Sequence, residues 1–195
     1  MKRFQYSESE RKLIEGLAVP VAVYQFIDRR VVTIALSRGF CELFGFDDPA
    51  EAYYLMDHDM YRDAHPDDVA RIEEIAVDFA VNGGDYEAIY RNKSPKDEDY
   101  RVIHAKGKHI FKETGERLAV IWYTDEGMYD SGIDTHLSRL NRVLKDAIHR
   151  DSLMYSNTYD TLTGLPNLSY FFQLSESGRD AMISEGRQPA MVYLT

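Results

Sequence analysis

One cysteine, one tryptophan and six prolines stand in 195 residues, and these scarcities already narrow the field. The lone Cys41 excludes an intrachain disulfide framework and any zinc site built from several cysteines, and it suits a reducing cytoplasm. No uninterrupted apolar run approaches the roughly 20 residues that span a bilayer. Met1 to Glu10 is too polar for a secretory signal, so the chain reads as soluble, with no membrane partner. Positive charge is also short: 23 Lys and Arg against 33 Asp and Glu leave a net −10. Phosphate backbones bind clustered cations, so this balance speaks against nucleic acid as a partner. What the chain does have is ordinary globular usage, 44% hydrophobic and 29% charged, which is enough for a buried core. Its length allows one domain and a piece of another, not two complete enzymes.

Ser7 and Glu10 form a capping-box pattern ahead of Leu13, Ile14 and Leu17, and Gly16 is a stop, so a short amphipathic helix opens the chain. Two runs rich in β-branched and aromatic residues, Val19 to Ile27 and Val31 to Leu36, read as an antiparallel hairpin. Ser37 caps a brief helix that points Phe40, Cys41 and Phe44 inward and ends at Gly45. Asp48-Pro49 opens another short helix through Tyr54, and Leu55 to Ala64 lacks a period and reads as loop and turns. Pro66, with Asp67 and Asp68 in the first turn, begins the longest regular helix, which Asn82-Gly83-Gly84 terminates. Three strands follow: Asp85 to Asn92, Tyr100 to Phe111 and Arg117 to Thr124. Strands gathered into blocks imply an antiparallel sheet with helices on one face, not a parallel βαβ fold.

From about Tyr129 the pattern changes. Ile133, Leu137, Leu140, Leu144, Ala147 and Met154 keep a 4-3-4-3 alternation, interrupted by Asp151. A helix with a single apolar stripe needs a partner, either a second copy or its own domain. The heptad spacing predicts the former, a parallel dimer seam through Ile133, Leu137, Leu140 and Leu144.

Together with the two-plus-three strand order, Arg38-Gly39-Phe40-Cys41-Glu42-Leu43-Phe44-Gly45-Phe46 and Ala64-His65-Pro66-Asp67-Asp68 resemble the PAS sensor family over about residues 18–128. Two departures stand out. The family usually has Asn where Ser37 or Gly39 stands, and Asp125-Glu126-Gly127 replaces the customary Asp-Ile-Thr at the exit from the last strand. The resemblance implies that Asp125 couples the domain to the following helix, by a link that differs from the family's usual one. Further on, Asp160-Thr161-Leu162-Thr163-Gly164-Leu165-Pro166-Asn167 resembles the opening of GGDEF domains, the catalytic part of diguanylate cyclases, with Asn167 placed to cap a helix from Leu168. The resemblance implies that the metal-binding Asp, the guanine contacts and the signature loop lie past Thr195, so this fragment holds no catalytic residue. Gly83-Gly84-Asp85-Tyr86-Glu87 imitates that loop but stands in the wrong place, and reads as helix stop plus strand start.

The expected organisation is thus an N-terminal helix (1–17), a PAS domain (18–128), a signalling helix (129–159) and the start of a GGDEF domain (160–195). The fold class is α+β: a PAS-like five-stranded antiparallel sheet with helices on one face, then a long coiled-coil helix and a truncated α/β fragment. The resemblance implies a cytoplasmic, homodimeric sensory module controlling cyclic di-GMP synthesis, itself not an enzyme. The competing reading is a PAS dimerisation or scaffold module beside a degenerate GGDEF domain or a downstream phosphodiesterase. The family commonly encloses a pocket, which implies an unidentified small ligand; GTP and Mg would belong only to the missing output domain. Strand alternation turns Tyr86 and Tyr90 one way, and with Cys41 and Phe44 they are the candidate ligand contacts, though inward tyrosines serve equally as core. Cys41 is not in the Asn-Cys-Arg-Phe string of the light-sensing members, and reads as a buried structural thiol. Neither haem on His58 or His65 nor a metal on His104 and His109 is expected.

Overall fold

The computed structural model describes residues 3–28, 30–113, 115–129 and 139–158, together with 165–167, 170–172 and the single positions 175, 179, 183 and 188. Two compact units divide the chain, Met1–Ala147 and Ile148–Thr195. In the first, α1 (Glu8–Glu15) is closed by the expected capping box: Ser7 Oγ accepts from the Glu10 N–H and the Ser7 N–H donates to Glu10 Oε2. Then come β1 (Val21–Ile27) and β2 (Arg30–Leu36), whose connecting turn holds Asp28 at φ 49. The helices α2 (Arg38–Phe44), α3 (Pro49–His58) and α4 (Pro66–Asn82) follow, and β3 (Asp85–Asn92), β4 (Arg101–Phe111) and β5 (Arg117–Met128) complete the sheet. A last helix, α5, spans Arg139–Thr158.

The five strands lie in the order β2-β1-β5-β4-β3, every pair antiparallel. First and last strands therefore meet at the centre, Val21 opposite Trp122 and Gln25 opposite Leu118. Two elements run longer than their sequences suggest. Leu55 belongs to α3, because it stands one turn from Ala52 and both are buried. β5 continues past Thr124 to Met128 although Asp125-Glu126-Gly127 has poor strand propensity. The ladder to β4 holds it there: Val102 faces Gly127 and Ile103 faces Asp125, which leaves Glu126 as the extra residue of a bulge.

Both edges of the sheet are covered by helices that satisfy their free backbone groups. At β2 the Thr33 N–H donates to Asp57 Oδ1 (2.8 Å) and the Leu36 N–H to the Tyr53 hydroxyl (3.0 Å), both from α3. At β3 the Arg91 N–H donates to Asp68 Oδ2 (2.9 Å), and the Arg91 carbonyl accepts from the His65 N–H (2.9 Å). Ser37 ties α2 to the strands. Its fully buried hydroxyl accepts from the Phe40 N–H (3.0 Å) and the Val21 N–H (2.9 Å) and donates to the Val19 carbonyl (2.7 Å). Gly39 lies so close to the Ala18 backbone that a Cβ would stand 2.1 Å from its carbonyl oxygen, so only glycine fits this crossing.

The inner face of the sheet and α2, α3 and α4 enclose the main core, which includes Tyr24, Phe40, Phe44, Ile72, Phe79 and Ile103. The outer face is not bare, which corrects the expectation of helices on one face only. Phe4, Tyr6 and Ile14 pack over Val23, Ile34, Ala35 and Leu118. At the other end Leu144 and Ala147 of α5, with Leu140 and Val143, pack over Ile89 and Val102. Leu140 and Leu144, expected at a seam between two copies, are thus committed to the chain's own sheet, and Leu144 is 4% exposed. These four residues of α5 meet the two-residue apolar patch that β3 and β4 present outward. Ile133 and Leu137 lie outside the described residues.

Candidate ligand-binding site

Between the sheet and the helices lies a cavity of about 100 Å³. Strand alternation supplies one wall: Tyr24 from β1, Tyr86 and Tyr90 from β3, and Ile121 and Tyr123 from β5 face inward, while their sequence neighbours face out. Helix α2 contributes Phe40 and Phe44, and α3 contributes Leu55 and Met56. Tyr61 stands in the turn after α3, and α4 closes the far end with Ala76 and Phe79. The aromatic walls interlock. Phe40 and Phe44 meet the Tyr123 ring edge-on, with centroids 5.4 and 5.2 Å away, and Phe79 stacks on His109 at 4.0 Å.

Five phenols thus surround one small space, and their bonding is unequal. The Tyr24 and Tyr123 hydroxyls bond to each other at 3.2 Å. The hydroxyls of Tyr61, Tyr86 and Tyr90 have no hydrogen-bond partner among the described residues. Burial pushes all five phenols up, Tyr61 to about 12, and the neighbouring phenols add to the rise at Tyr86 and Tyr90. They therefore stay protonated and act as O–H donors at any physiological pH. His109 is held by its Nε2–H, which donates to the Phe79 carbonyl at 2.9 Å; its buried Nδ1 has no partner.

Three comparisons bear on this arrangement. A family model described as the PAS fold matches residues 33–124. That match spans a little under half of the chain. Among solved structures it is similar to a PAS domain from a two-component sensor histidine kinase, at 11% identity over 61% of this chain and 95% of that one, with TM-score 0.44. It is similar also to a sensory box histidine kinase/response regulator from Burkholderia thailandensis E264, at 19% identity, 69% and 90% coverage and TM-score 0.39. A third is the domain of a putative light and redox sensing histidine kinase from Haloarcula marismortui, at 17% identity, 62% and 99% coverage and TM-score 0.42. No curated protein matches.

The cavity brings together three of the four expected contacts, Phe44, Tyr86 and Tyr90. Cys41 is the exception. It sits in the core cluster with Phe40 and Phe44 but off the cavity wall, because the inward arc of so short a helix is taken by the two Phe rings. Burial pushes its thiol up, away from the reactive thiolate. Tyr24, Tyr61, Tyr123 and His109 were not anticipated. The alternation of β1 and β5 carries a signal for Tyr24 and Tyr123, but Tyr61 stands where the sequence has no period.

Asp125 lies within β5, opposite Ile103 and three residues before the strand ends. Its carboxylate accepts from the Gly127 N–H (2.8 Å) and pairs with Arg101, which also holds Asp97 at 3.0 Å. Three further histidines have structural partners: His58 Nδ1 bonds the Tyr54 carbonyl, and His65 Nδ1 caps α4 by accepting from the Asp67 N–H. His104 lies between Glu87 (2.8 Å) and Glu126 (3.3 Å). Among the described residues no three His, Cys, Asp or Glu converge as metal ligands, and no helix is long and apolar enough to cross a membrane. In the second unit Asn167 Oδ1 accepts from the Tyr170 N–H at 3.0 Å, the helix cap that its position suggested; residues 160–164 lie outside the described set.

Proposed function

We propose that this chain is the cytoplasmic sensory input of a cyclic di-GMP signalling protein and forms no bonds itself. A small molecule in the PAS cavity sets how α5 rests on the sheet, and α5 hands that state to a GGDEF-type output domain beginning near Asp160. The observation that carries the reading is the two-sidedness of β3. Inward, Tyr86 and Tyr90 wall the cavity; outward, Ile89 lies under Leu144 and Ala147. Arg91 extends the link. Its guanidinium holds Asp68 of α4 and stands 5.2 Å from the ring centre of Tyr129, the residue that follows β5. A ligand that displaces this strand from one side moves what rests on the other.

The string from Asp160 to Asn167, with its capped turn, supports a GGDEF start. Such an output joins two GTP molecules held face to face, so two copies are needed and their mutual placement gates the reaction. Helix α5 is the element that sets this placement. The test is nucleotide turnover with GTP and Mg²⁺. The chain continued by the polypeptide that follows it in its gene forms cyclic di-GMP, at a rate altered by Tyr90→Phe, and the 195-residue chain alone forms none. Turnover by the short chain, or a continued chain without product, overturns the reading.

A further inference from the structure

The cavity's dimensions, wall chemistry and lack of counter-charge together define its occupant, on the premise that the ligand-gated reading above holds. A dry cavity of about 150 Å³ takes benzene. At about 100 Å³ this one has room for on the order of five non-hydrogen atoms, far below a flavin or a haem. Its walls are mostly hydrocarbon, with Phe40, Phe44, Phe79 and Ile121 among them, yet Tyr61, Tyr86 and Tyr90 bring three O–H groups with no partner among the described residues. Phenols held neutral offer hydrogens, so the occupant supplies acceptors. Both charged side chains on the wall have a partner: Arg117 bonds the Ala80 carbonyl at the end of α4, and Asp63 pairs with Arg62 at 2.8 Å. A cation would meet no carboxylate that is not already paired, and an anion would have to draw Arg117 from the Ala80 carbonyl, so an ion is costlier to bury here than a polar neutral molecule.

We infer that the cavity recognises a small uncharged molecule of about five non-hydrogen atoms bearing a carbonyl or similar acceptor, held by the phenolic O–H groups of Tyr61, Tyr86 and Tyr90. Amides, ketones and short hydroxy-carbonyl compounds belong to this class. Carboxylates, ammonium ions and plain hydrocarbons do not.

Three probes of similar size separate the classes: N-methylacetamide is neutral with an acceptor, propionate is anionic, and benzene is apolar. Binding is read from the tyrosine ring resonances of the isotope-labelled 195-residue chain during titration. The expected result is that N-methylacetamide binds at least about 10-fold more tightly than either other probe. Tyr86→Phe and Tyr90→Phe each weaken it about 5- to 10-fold, a loss in line with one hydrogen bond, and leave benzene unchanged or improved. Both variants keep the hydrocarbon wall, and a melting curve confirms their fold. Tighter binding of propionate or benzene, or indifference of N-methylacetamide to both variants, overturns the assigned class while leaving a ligand-binding cavity in place. Failure of all three probes to shift any cavity tyrosine overturns the class and the ligand-gated reading together.

Discussion

Ser37 and Asp68 show how single polar side chains fix the frame around the cavity. The Ser37 hydroxyl makes three hydrogen bonds at full burial, where the resembling family usually has a longer amide nearby. Ser37→Ala leaves two backbone N–H groups and one carbonyl short of a partner, and urea unfolding is expected to show a loss of about 2 kcal/mol. Asp68 is 1% exposed. Burial alone would raise its carboxyl, but the Arg91 side chain and backbone N–H, with Arg71 nearby, outweigh that and hold it below the usual carboxylate range. A lowered folded value means the contribution is complete above the unfolded value, about 3.9, and disappears as pH falls through the folded one. Asp68→Asn is therefore expected to cost about 3 kcal/mol at pH 7. The gap to wild type narrows below about pH 4, as denaturation at both pH values will show.

At the scale of elements, α5 has one apolar stripe and two claims upon it. Leu144 and Ala147 cover Ile89 and Val102, so the same side chains are not free for a second copy while the helix is docked. Dimerisation through Leu140 and Leu144, as the heptad spacing predicts, would have to displace this docking. Leu144→Ala removes the larger buried side chain and is expected to weaken docking by about 2–3 kcal/mol. Amide exchange over 139–147 then quickens roughly 30- to 150-fold, with little change in the inner strands. Unchanged exchange would mean that the contact contributes nothing. The heptad pattern was legible in the sequence because period is a property of one chain. Which surface meets the stripe was not, because Ile89 and Val102 form a patch only after β3 and β4 pair.

For the whole molecule, the compact unit ends inside α5 and not at the last strand. A fragment of residues 1–147 is expected to unfold cooperatively, whereas one of residues 1–129 loses about 3 kcal/mol, the worth of covering Ile89 and Val102 with Leu144 and Ala147. Equal urea midpoints for the two fragments would show that α5 adds nothing to this fold. The sequence by itself determined the elements and their order: capping residues, Pro66 and the alternation of β3 are local signals, read over a few neighbours. It also marked Tyr86 and Tyr90 as inward. Only the tertiary structure decided that Tyr61 joins them, that Cys41 stays off the wall, that β5 runs on through a bulge at Glu126, and that the last helix rests on its own sheet. Each of these depends on residues far apart in sequence meeting in space, and such pairings leave no period for a single chain to display.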